Sequence, residues 1–451
     1  MGPVTVAPPR VPRQGDAPAR RLAVHTLGCK VNAYESEVLA AALARRGWVR
    51  ADDDGPVALC IVNTCTVTAE SDRQARQLVR RLARRHPGAR IVVTGCYAER
   101  DPQACARLPG VDLVVGNARK LDLPDLLDRL AGPAVLRPPL DGQVSLPREL
   151  VDGLAGHTRA FVQVQQGCDQ GCTFCVIHRA RGPHRSLDPR HVERQVARLL
   201  DGGCREIVLC GVDLGSYGRG AGEDGPGLAG LLRRLFALPG DYRLRISSLD
   251  PAHVDPPLLE LFAAEPRLCP HLHLSIQSGN TLILKRMKRR YGAEQVYRVA
   301  EALRAARPGL TLGADLMAGF PTEDEDAFED TRRMVEALEI AFPHVFTYSN
   351  RPGTPAARIP RQVPPAERRR RARRLRAAGA AALARHLAAR RGDRERVLVE
   401  GAGAAPPGHL RARAGDYTTV FVPAGAAGAG DWLEVALVAP WQGGLIARPR
   451  P

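Results

Sequence analysis

Cys168, Cys172 and Cys175 stand in the stretch Gly167-Cys168-Asp169-Gln170-Gly171-Cys172-Thr173-Phe174-Cys175, a Cys-x3-Cys-x2-Cys spacing. Three thiolates from one short loop suit a 4Fe-4S cube, because each can reach a different iron corner. The fourth iron is then left without a protein ligand and can bind a small molecule. A closed zinc site wants a fourth ligand. His178 is the nearest candidate, and Cys-x2-Cys-x2-His is too tight for the usual zinc pattern. Zinc and plain buried thiols are the competing readings. The strand-like run 160–165 precedes the stretch, so the cysteines leave the C-terminal end of a strand.

A second set is dispersed. Residues 21–27, 57–62, 90–94 and 111–115 read as strands, and about 34–46 and 70–85 as helices with apolar residues at helical spacing. This βαβα alternation predicts a Rossmann-like parallel sheet with helical crossovers. Cys29, Cys65 and Cys96 each fall one to three residues beyond the end of a different strand. In open α/β sheets those ends share one edge, where ligands bind. Three thiolates from three loops can therefore meet at one point; the other reading is three unrelated buried cysteines. Cys60, inside a strand, and Cys105, in a helical turn, read as packing residues. Cys204, Cys210 and Cys269 have no cluster spacing.

The elements that must position these thiols are bounded by length and charge. A chain of 451 residues predicts two or three domains. No apolar run approaches membrane-span length, and residues 1–20, rich in Pro and Arg, lack the apolar core of a signal peptide. A cytoplasmic protein with no membrane partner is the expectation, with its eleven cysteines in a reducing compartment. The surplus of 65 Lys and Arg over 48 Asp and Glu gives a net charge of +17. That points to a polyanionic partner, or to an Arg-rich composition without one. Aromatics make up only 4% of the chain, which argues against an extended base-stacking platform.

Residues 121–155 read as helix plus linker. A new alternation then begins, with strands at 161–165, 206–210, 243–247, 271–277, 310–316 and 344–348 separated by helices such as 191–201 and 325–338. A site in such βα units belongs at the C-terminal strand ends. Those ends carry Gly211-Val212-Asp213, whose glycine permits close backbone approach, then Gln277-Ser278-Gly279, and Asp315 followed by Gly319-Phe320-Pro321. Residues 365–391 form a strongly basic helix, either solvated or contacting phosphates. From 394 the pattern changes to short strands, 396–400, 418–422 and 432–439, which predict a small antiparallel β-barrel.

The loop Cys168/Cys172/Cys175, with aromatic Phe174 before the last cysteine, resembles the signature of the radical S-adenosylmethionine (SAM) superfamily. The pieces Leu27-Gly28-Cys29-Lys30-Val31-Asn32, Asn63-Thr64-Cys65-Thr66-Val67 and Gly95-Cys96-Tyr97-Ala98-Glu99 resemble the N-terminal domain of its methylthiotransferase family. The resemblance implies four segments: a disordered tail (1–20), an auxiliary-cluster domain (21–135), a partial (β/α)6 TIM-type barrel with its basic linker helix (155–392), and a C-terminal β-barrel similar to the RNA-binding TRAM domain (393–451). It implies two 4Fe-4S clusters, one on Cys168, Cys172 and Cys175 that cleaves SAM and one on Cys29, Cys65 and Cys96 that supplies sulfur. Phe174, Gly211, Asp213, Gln277 and Asp315 would line the SAM pocket and barrel mouth; for Asp213, Gln277 and Asp315 a helix cap or turn is the alternative. Implied partners are the anticodon loop of tRNA, an electron donor such as flavodoxin or ferredoxin, and a sulfur donor. Lys30 after Cys29 resembles the type that methylthiolates N6-threonylcarbamoyladenosine at tRNA position 37, and Arg351 in Tyr348-Ser349-Asn350-Arg351-Pro352-Gly353 resembles the tRNA-modifying types as against the ribosomal-protein type. The alternatives are types acting on isopentenyladenosine-tRNA or a ribosomal protein, or a non-catalytic zinc-holding RNA-binding protein. As a separate module, residues 394–451 are expected to be removable with SAM cleavage nearly intact.

Overall fold

A computed structural model describes residues 20–51, 55–130, 132–141, 144–147, 149–219, 225 and 227–450. It divides into two units, Met1–Glu149 and Leu150–Pro451. The expected tail 1–20 lies, except for Arg20, outside the described residues. Among the described residues, no helix is long and apolar enough to cross a membrane.

The first unit is a six-stranded sheet of β1 (Arg21–Thr26), β2 (Val49–Arg50), β3 (Leu59–Thr64), β4 (Arg90–Gly95), β5 (Val111–Val115) and β6 (Ala134–Leu136). The order is β2-β1-β3-β4-β5-β6 and every pair is parallel. Alternate residues bury opposite faces, as a period of two requires. Leu59 and Ile61 join Leu39 and Leu43 of helix α1 (Lys30–Ala44), while Cys60 and Val62 join Ala75, Val79 and Leu82 of helix α2 (Ala69–Arg85). Thr68 caps α2 by accepting from the Ser71 amide at 3.1 Å, with Glu70 and Asp72 in the first turn and Arg84 and Arg85 in the last. Strand order reverses between β1 and β3, the switch point where an open sheet leaves a crevice. Two edge strands, β2 and β6, were not expected from the sequence, being only two and three residues long. Helix α1 starts at Lys30 rather than about 34, so Val31 and Asn32 belong to its first turn.

The second unit holds six parallel strand positions in an open arc. Strands β7 (Arg159–Gln163), β10 (Glu206–Cys210) and β11 (Arg243–Ile246) form one sheet, and β12 (Ser248–Leu249), β13 (His271–Gln277), β14 (Thr311–Ala318) and β15 (Phe342–Thr347) the other. The strand expected at 243–247 is the break between them: β11 and β12 are separated at Ser247, whose amide still bonds Leu209 O at 3.0 Å. A two-residue pair, β8 (Gln165–Gln166) and β9 (Arg185–Ser186), brackets the cysteine loop. Along β13 and β14, Leu272, Leu274, Ile276, Leu312, Ala314 and Leu316 make a closed apolar face. The opposite face carries His273, Ser275 and Asp315, half-open to solvent.

After the helix Pro365–Ala389 come β16 (Arg394–Gly401), β17 (His409–Arg413), β18 (Thr419–Pro423), β19 (Trp432–Trp441) and β20 (Gly444–Pro449), a closed barrel. It is antiparallel except where β18 and β20 run parallel, and the sequence did not reveal β17 or β20. This barrel packs against the (β/α) arc. Its turn 414–418 enters the floor of the (β/α) arc, where the strands begin. Buried Glu206 opens β10 and accepts from Arg243 Nε (2.7 Å), Arg245 Nε (2.8 Å) and Arg159 Nη1 (3.4 Å). The excess positive charge is answered from the barrel. Glu400 pairs with Arg159 at 2.9 Å, and the carbonyls of Arg413 and Gly415 accept from Arg243 (2.8 Å) and Arg245 (3.0 Å). Tyr417, at φ 78°, stacks on His271 with centroids 4.7 Å apart and meets Phe342 edge-on at 5.4 Å.

Candidate active site

In the first unit the three thiols leave adjacent strands. Cys65 and Cys96 directly follow β3 and β4, and Cys29 stands three residues beyond β1. Two glycines let the loops close. A Cβ on Gly28, at φ 103°, would lie 2.9 Å from Cys65 Sγ; one on Gly95, at φ 93°, would lie 2.5 Å from Thr64 O. Buried amides pin the loops together. Asn32 Nδ2 donates to Leu27 O (2.7 Å) and Thr64 O (3.0 Å), and Asn63 Nδ2 to Asn32 O and Ser36 Oγ (both 3.0 Å). Thr64 Oγ1 accepts from the Tyr97 amide at 3.2 Å, and Lys120 Nζ, paired at 2.6 Å with buried Glu35, also reaches Asn63 Oδ1 at 3.4 Å. Burial first, then the neighbouring Cys96 and Cys29, push the Cys65 thiol up to about 11. Asn117 Nδ2 lies 3.8 Å from Cys96 Sγ. Cys29, Lys30 and Val67 form an exposed rim over this set.

In the second unit each sulfur of the loop receives one N–H. Gln170 N lies 3.5 Å from Cys168 Sγ, Ile177 N 3.3 Å from Cys175 Sγ, and Arg289 Nη1 3.3 Å from Cys172 Sγ. Arg289 also bonds Asp250 at 2.8 Å and Ser275 O at 3.1 Å. Buried Gln165 locks the loop: its Nε2 donates to Gly167 O (2.7 Å) and its Oε1 accepts from the Asp213 amide (2.7 Å). Burial, then Asp213, raises the Cys168 thiol, and burial pushes Cys175 up to about 11. Thiolate ligation releases protons, so metal binding at these sulfurs is coupled to pH.

The donor set fits iron–sulfur clusters. Each triad offers three sulfurs and leaves a fourth corner free, with N–H groups aimed at sulfur, one of the levers that tune such clusters.

The expected SAM contacts divide. Asp213 comes to the cysteine loop, its carboxylate held by Gln170 Nε2 (3.1 Å) and Ser216 Oγ (2.9 Å) and lying 3.8 Å from Cys168 Sγ. Phe174 meets Phe320 edge-on at 6.5 Å, and Phe320 meets Tyr348 at 5.7 Å. Gln277 ends β13 at φ 68°, buried, with an Oε1 that has no hydrogen-bond partner among the described residues. Such strain concentrates at functional sites. Gly211 has another reason to be glycine than the one expected: a Cβ there would lie 2.8 Å from Gln165 Oε1. Asp315 lies three residues before the end of β14, its carboxylate held by His344 Nδ1 (2.9 Å) and His273 Nε2 (3.3 Å). Sequence reasoning missed Arg289, Gln165, Asp250 and the two histidines; nothing in local spacing marks them.

An open parallel arc with three thiols in the loop after its first strand has the architecture of radical SAM enzymes. Residues 162–335 match the Radical SAM superfamily, and residues 21–116 match a family described as "Uncharacterized protein family UPF0004". The fold is similar to a radical S-adenosylmethionine methyltransferase, TsrM, from Kitasatospora setae, with a TM-score of 0.55 and 17% identity over 75% of this chain and 77% of that one. Among curated relatives, the threonylcarbamoyladenosine tRNA methylthiotransferase MtaB of Rickettsia prowazekii is 40% identical over 80% of this chain and 83% of its own. The Bacillus subtilis MtaB is 38% identical over 76% of each chain. A tRNA-2-methylthio-N(6)-dimethylallyladenosine synthase of Cereibacter sphaeroides is 38% identical over 76% of this chain and 79% of its own. The chain belongs to the MtaB family of radical SAM methylthiotransferases.

Proposed function

We propose that this enzyme replaces the C2 hydrogen of N6-threonylcarbamoyladenosine at tRNA position 37 with a methylthio group, using SAM and two 4Fe-4S clusters. The observation that carries the reading is the pair of thiol triads, each presented at the C-terminal ends of parallel strands. When bound, the cluster on Cys168, Cys172 and Cys175 supplies the electron that cleaves SAM, and the one on Cys29, Cys65 and Cys96 the sulfur. The chain's own residues hold and tune these groups. Gln165 and Arg289 fix the radical loop, Phe174, Asp213 and Gln277 face SAM, and Asn32 and Asn63 fix the sulfur-bearing loops. An aromatic C2–H has no acidity a base could exploit, so the protein's share is positioning and exclusion of water. The same reading includes a cytoplasmic setting, an electron donor such as flavodoxin or ferredoxin, a sulfur donor, and an RNA-binding role for the C-terminal β-barrel.

The synthases acting on dimethylallyladenosine are nearly as similar in sequence, so substrate choice needs its own argument. Lys30 is exposed on the rim beside Cys29. A charge-assisted bond from it to the threonylcarbamoyl carboxylate would contribute about 1.5–3 kcal/mol that a wholly apolar isopentenyl group cannot gain.

The test loads the protein anaerobically and follows tRNA nucleosides by mass spectrometry. About eight irons are expected in the parent and about four after replacing either cysteine triad. Cys172→Ala should abolish 5′-deoxyadenosine; Cys65→Ala should still form it but give no methylthio product. In competition, threonylcarbamoyl-tRNA should be turned over in preference to isopentenyl-tRNA, with the preference narrowed in Lys30→Gln. Preferred turnover of isopentenyl-tRNA would overturn the substrate assignment.

A further inference from the structure

Helix α2 presents one face that the reaction's cofactors leave unused. At 100° per residue, Arg73, Gln74, Gln77, Arg80, Arg81 and Arg84 fall within one arc of about 120°. All six side chains are exposed. Among the described residues Arg73 and Gln74 bond one carboxylate, that of Glu70 in the helix's own first turn, and Arg80, Arg81 and Arg84 bond none. Val79, Leu82 and Ala75 on the opposite side fill the core, so the arc is not required for folding. Gln74, Gln77, Arg80, Arg81 and Arg84 line a shallow groove that begins at Leu27, two residues before Cys29. The stripe therefore starts beside the sulfur-bearing rim and runs about 16 Å along the helix.

Much of the arginine on other surfaces is paired within the molecule, although Arg369 and Arg373 of the Pro365–Ala389 helix stay exposed. On the Pro365–Ala389 helix, Arg370, Arg371 and Arg374 pair with Glu323, Glu325, Glu329 or Glu367. On the C-terminal barrel, Arg396 pairs with Asp241, and Arg411 and Arg413 pair with Glu400. Guanidinium groups without carboxylates, interleaved with amides, suit phosphate oxygens and 2′-hydroxyls, which neutralise and accept without reading sequence.

We propose that the α2 face, Arg80, Arg81 and Arg84 with Gln74 and Gln77, grips the phosphate backbone of the tRNA anticodon arm and so delivers the modified base to the rim at Cys29. The inference rests on the tRNA-modifying reading. A nucleobase at the rim brings its own strand's phosphates within a helix length of it, and α2 is the element of this unit that meets them with unpaired positive charge.

The experiment uses the holoenzyme with both clusters and, as probe, a labelled RNA hairpin of the anticodon stem and loop. Binding is measured against salt for the parent, for Arg80→Gln/Arg81→Gln/Arg84→Gln, and for the same three positions changed to Lys. Losing three phosphate contacts should flatten the log–log salt slope by about 2–3 and weaken binding on the order of 100-fold at ~0.1 M salt. The Lys version should keep the parent's slope. RNA-free formation of 5′-deoxyadenosine and the unfolding midpoint should be unchanged in both, since these side chains touch neither thiol set. A Gln version with the parent's slope would overturn the inference, and so would a Lys version that loses as much as the Gln version. A parent that binds the hairpin through this face yet forms no methylthio product would instead overturn the functional reading.

Discussion

Arg289 gives its guanidinium to Cys172 Sγ, the Asp250 carboxylate and the Ser275 carbonyl, and to the Tyr291 hydroxyl at 3.0 Å. Asp250 and Tyr291 are buried, so neither can turn to water instead. Without the guanidinium, Cys172 loses its one side-chain donor and Asp250 is left as an uncompensated buried charge. Arg289→Ala should therefore lower iron retention or 5′-deoxyadenosine formation by about 10–100-fold, the usual effect of removing a group that orients a metal ligand. The first unit's iron should stay, which iron analysis of the variant alongside the Cys172→Ala protein will check. The ligands themselves were legible because three cysteines in one loop are a local pattern. Arg289 was not: its sulfur partner lies 117 positions away, and only the fold brings them together. The same holds for Asp315, whose place at the end of the fifth expected strand suggested a ligand contact. His273 and His344 claim its carboxylate and hold it well below the usual range against the cost of burial.

The Pro365–Ala389 helix shows how an element can be read correctly in kind and left open in role. Its helical span was plain from composition, but the partners of its charges lie on other elements. Arg371 bonds Glu323 and Glu367, each at 2.8 Å, while Arg368 and Arg376 donate to the Tyr348 and Val345 carbonyls at 2.9 and 2.8 Å. These contacts favour a helix that clamps the barrel over one whose cations all face RNA; Arg369 and Arg373 remain exposed. Glu323 in turn bonds the Gly319 amide at 2.9 Å, so the clamp reaches the loop that carries Phe320. Burial pushes the Glu323 carboxyl up to about 7 even with Arg371 against it. Arg371→Ala leaves that carboxylate unpaired wherever it is ionised, a cost of about 3–5 kcal/mol once it is fully charged at alkaline pH. The cost has a definite pH sign. Without Arg371 the folded carboxyl holds its proton to still higher pH, so parent and variant bind the same proton below about pH 7 and the penalty grows only as pH rises beyond it. Unfolding midpoints of parent and variant should converge at pH 5 and separate at pH 8; parallel curves would remove Glu323 from the account.

At the scale of the whole chain, alternation of strand and helix and the change of pattern near residue 394 disclosed the order of the segments. They could not disclose what the last segment does to the one before it. Short strands with Gly and Ala turns look the same whether a small barrel swings on a tether or is built into its neighbour. In the structure, Arg159, Arg243, Arg245, His271, Thr311 and Phe342 stand at or near the first residues of five strands, β7, β11, β13, β14 and β15, and all contact residues 413–418 or Glu400. In barrels of this kind the strand-beginning face serves stability and the opposite face catalysis. Removing residues 393–451 would leave three arginines around Glu206 with no second carboxylate, and would bare His271 and Phe342. The expectation that SAM cleavage survives this deletion is therefore reversed. A chain ending at Gly392 should unfold at a lower temperature than the parent and lose 5′-deoxyadenosine formation together with RNA binding. Tyr417→Ala separates docking from deletion, because it keeps the small barrel and removes only the ring that stacks on His271. Because Tyr417 is only half-buried, it should cost less than a fully buried aromatic truncation, about 1–3 kcal/mol, while the barrel's own RNA affinity per folded molecule stays near the parent's. Calorimetry of both proteins decides the matter: a shortened chain that melts with the parent and still cleaves SAM would mean the floor is self-supporting and the small barrel a tethered module after all.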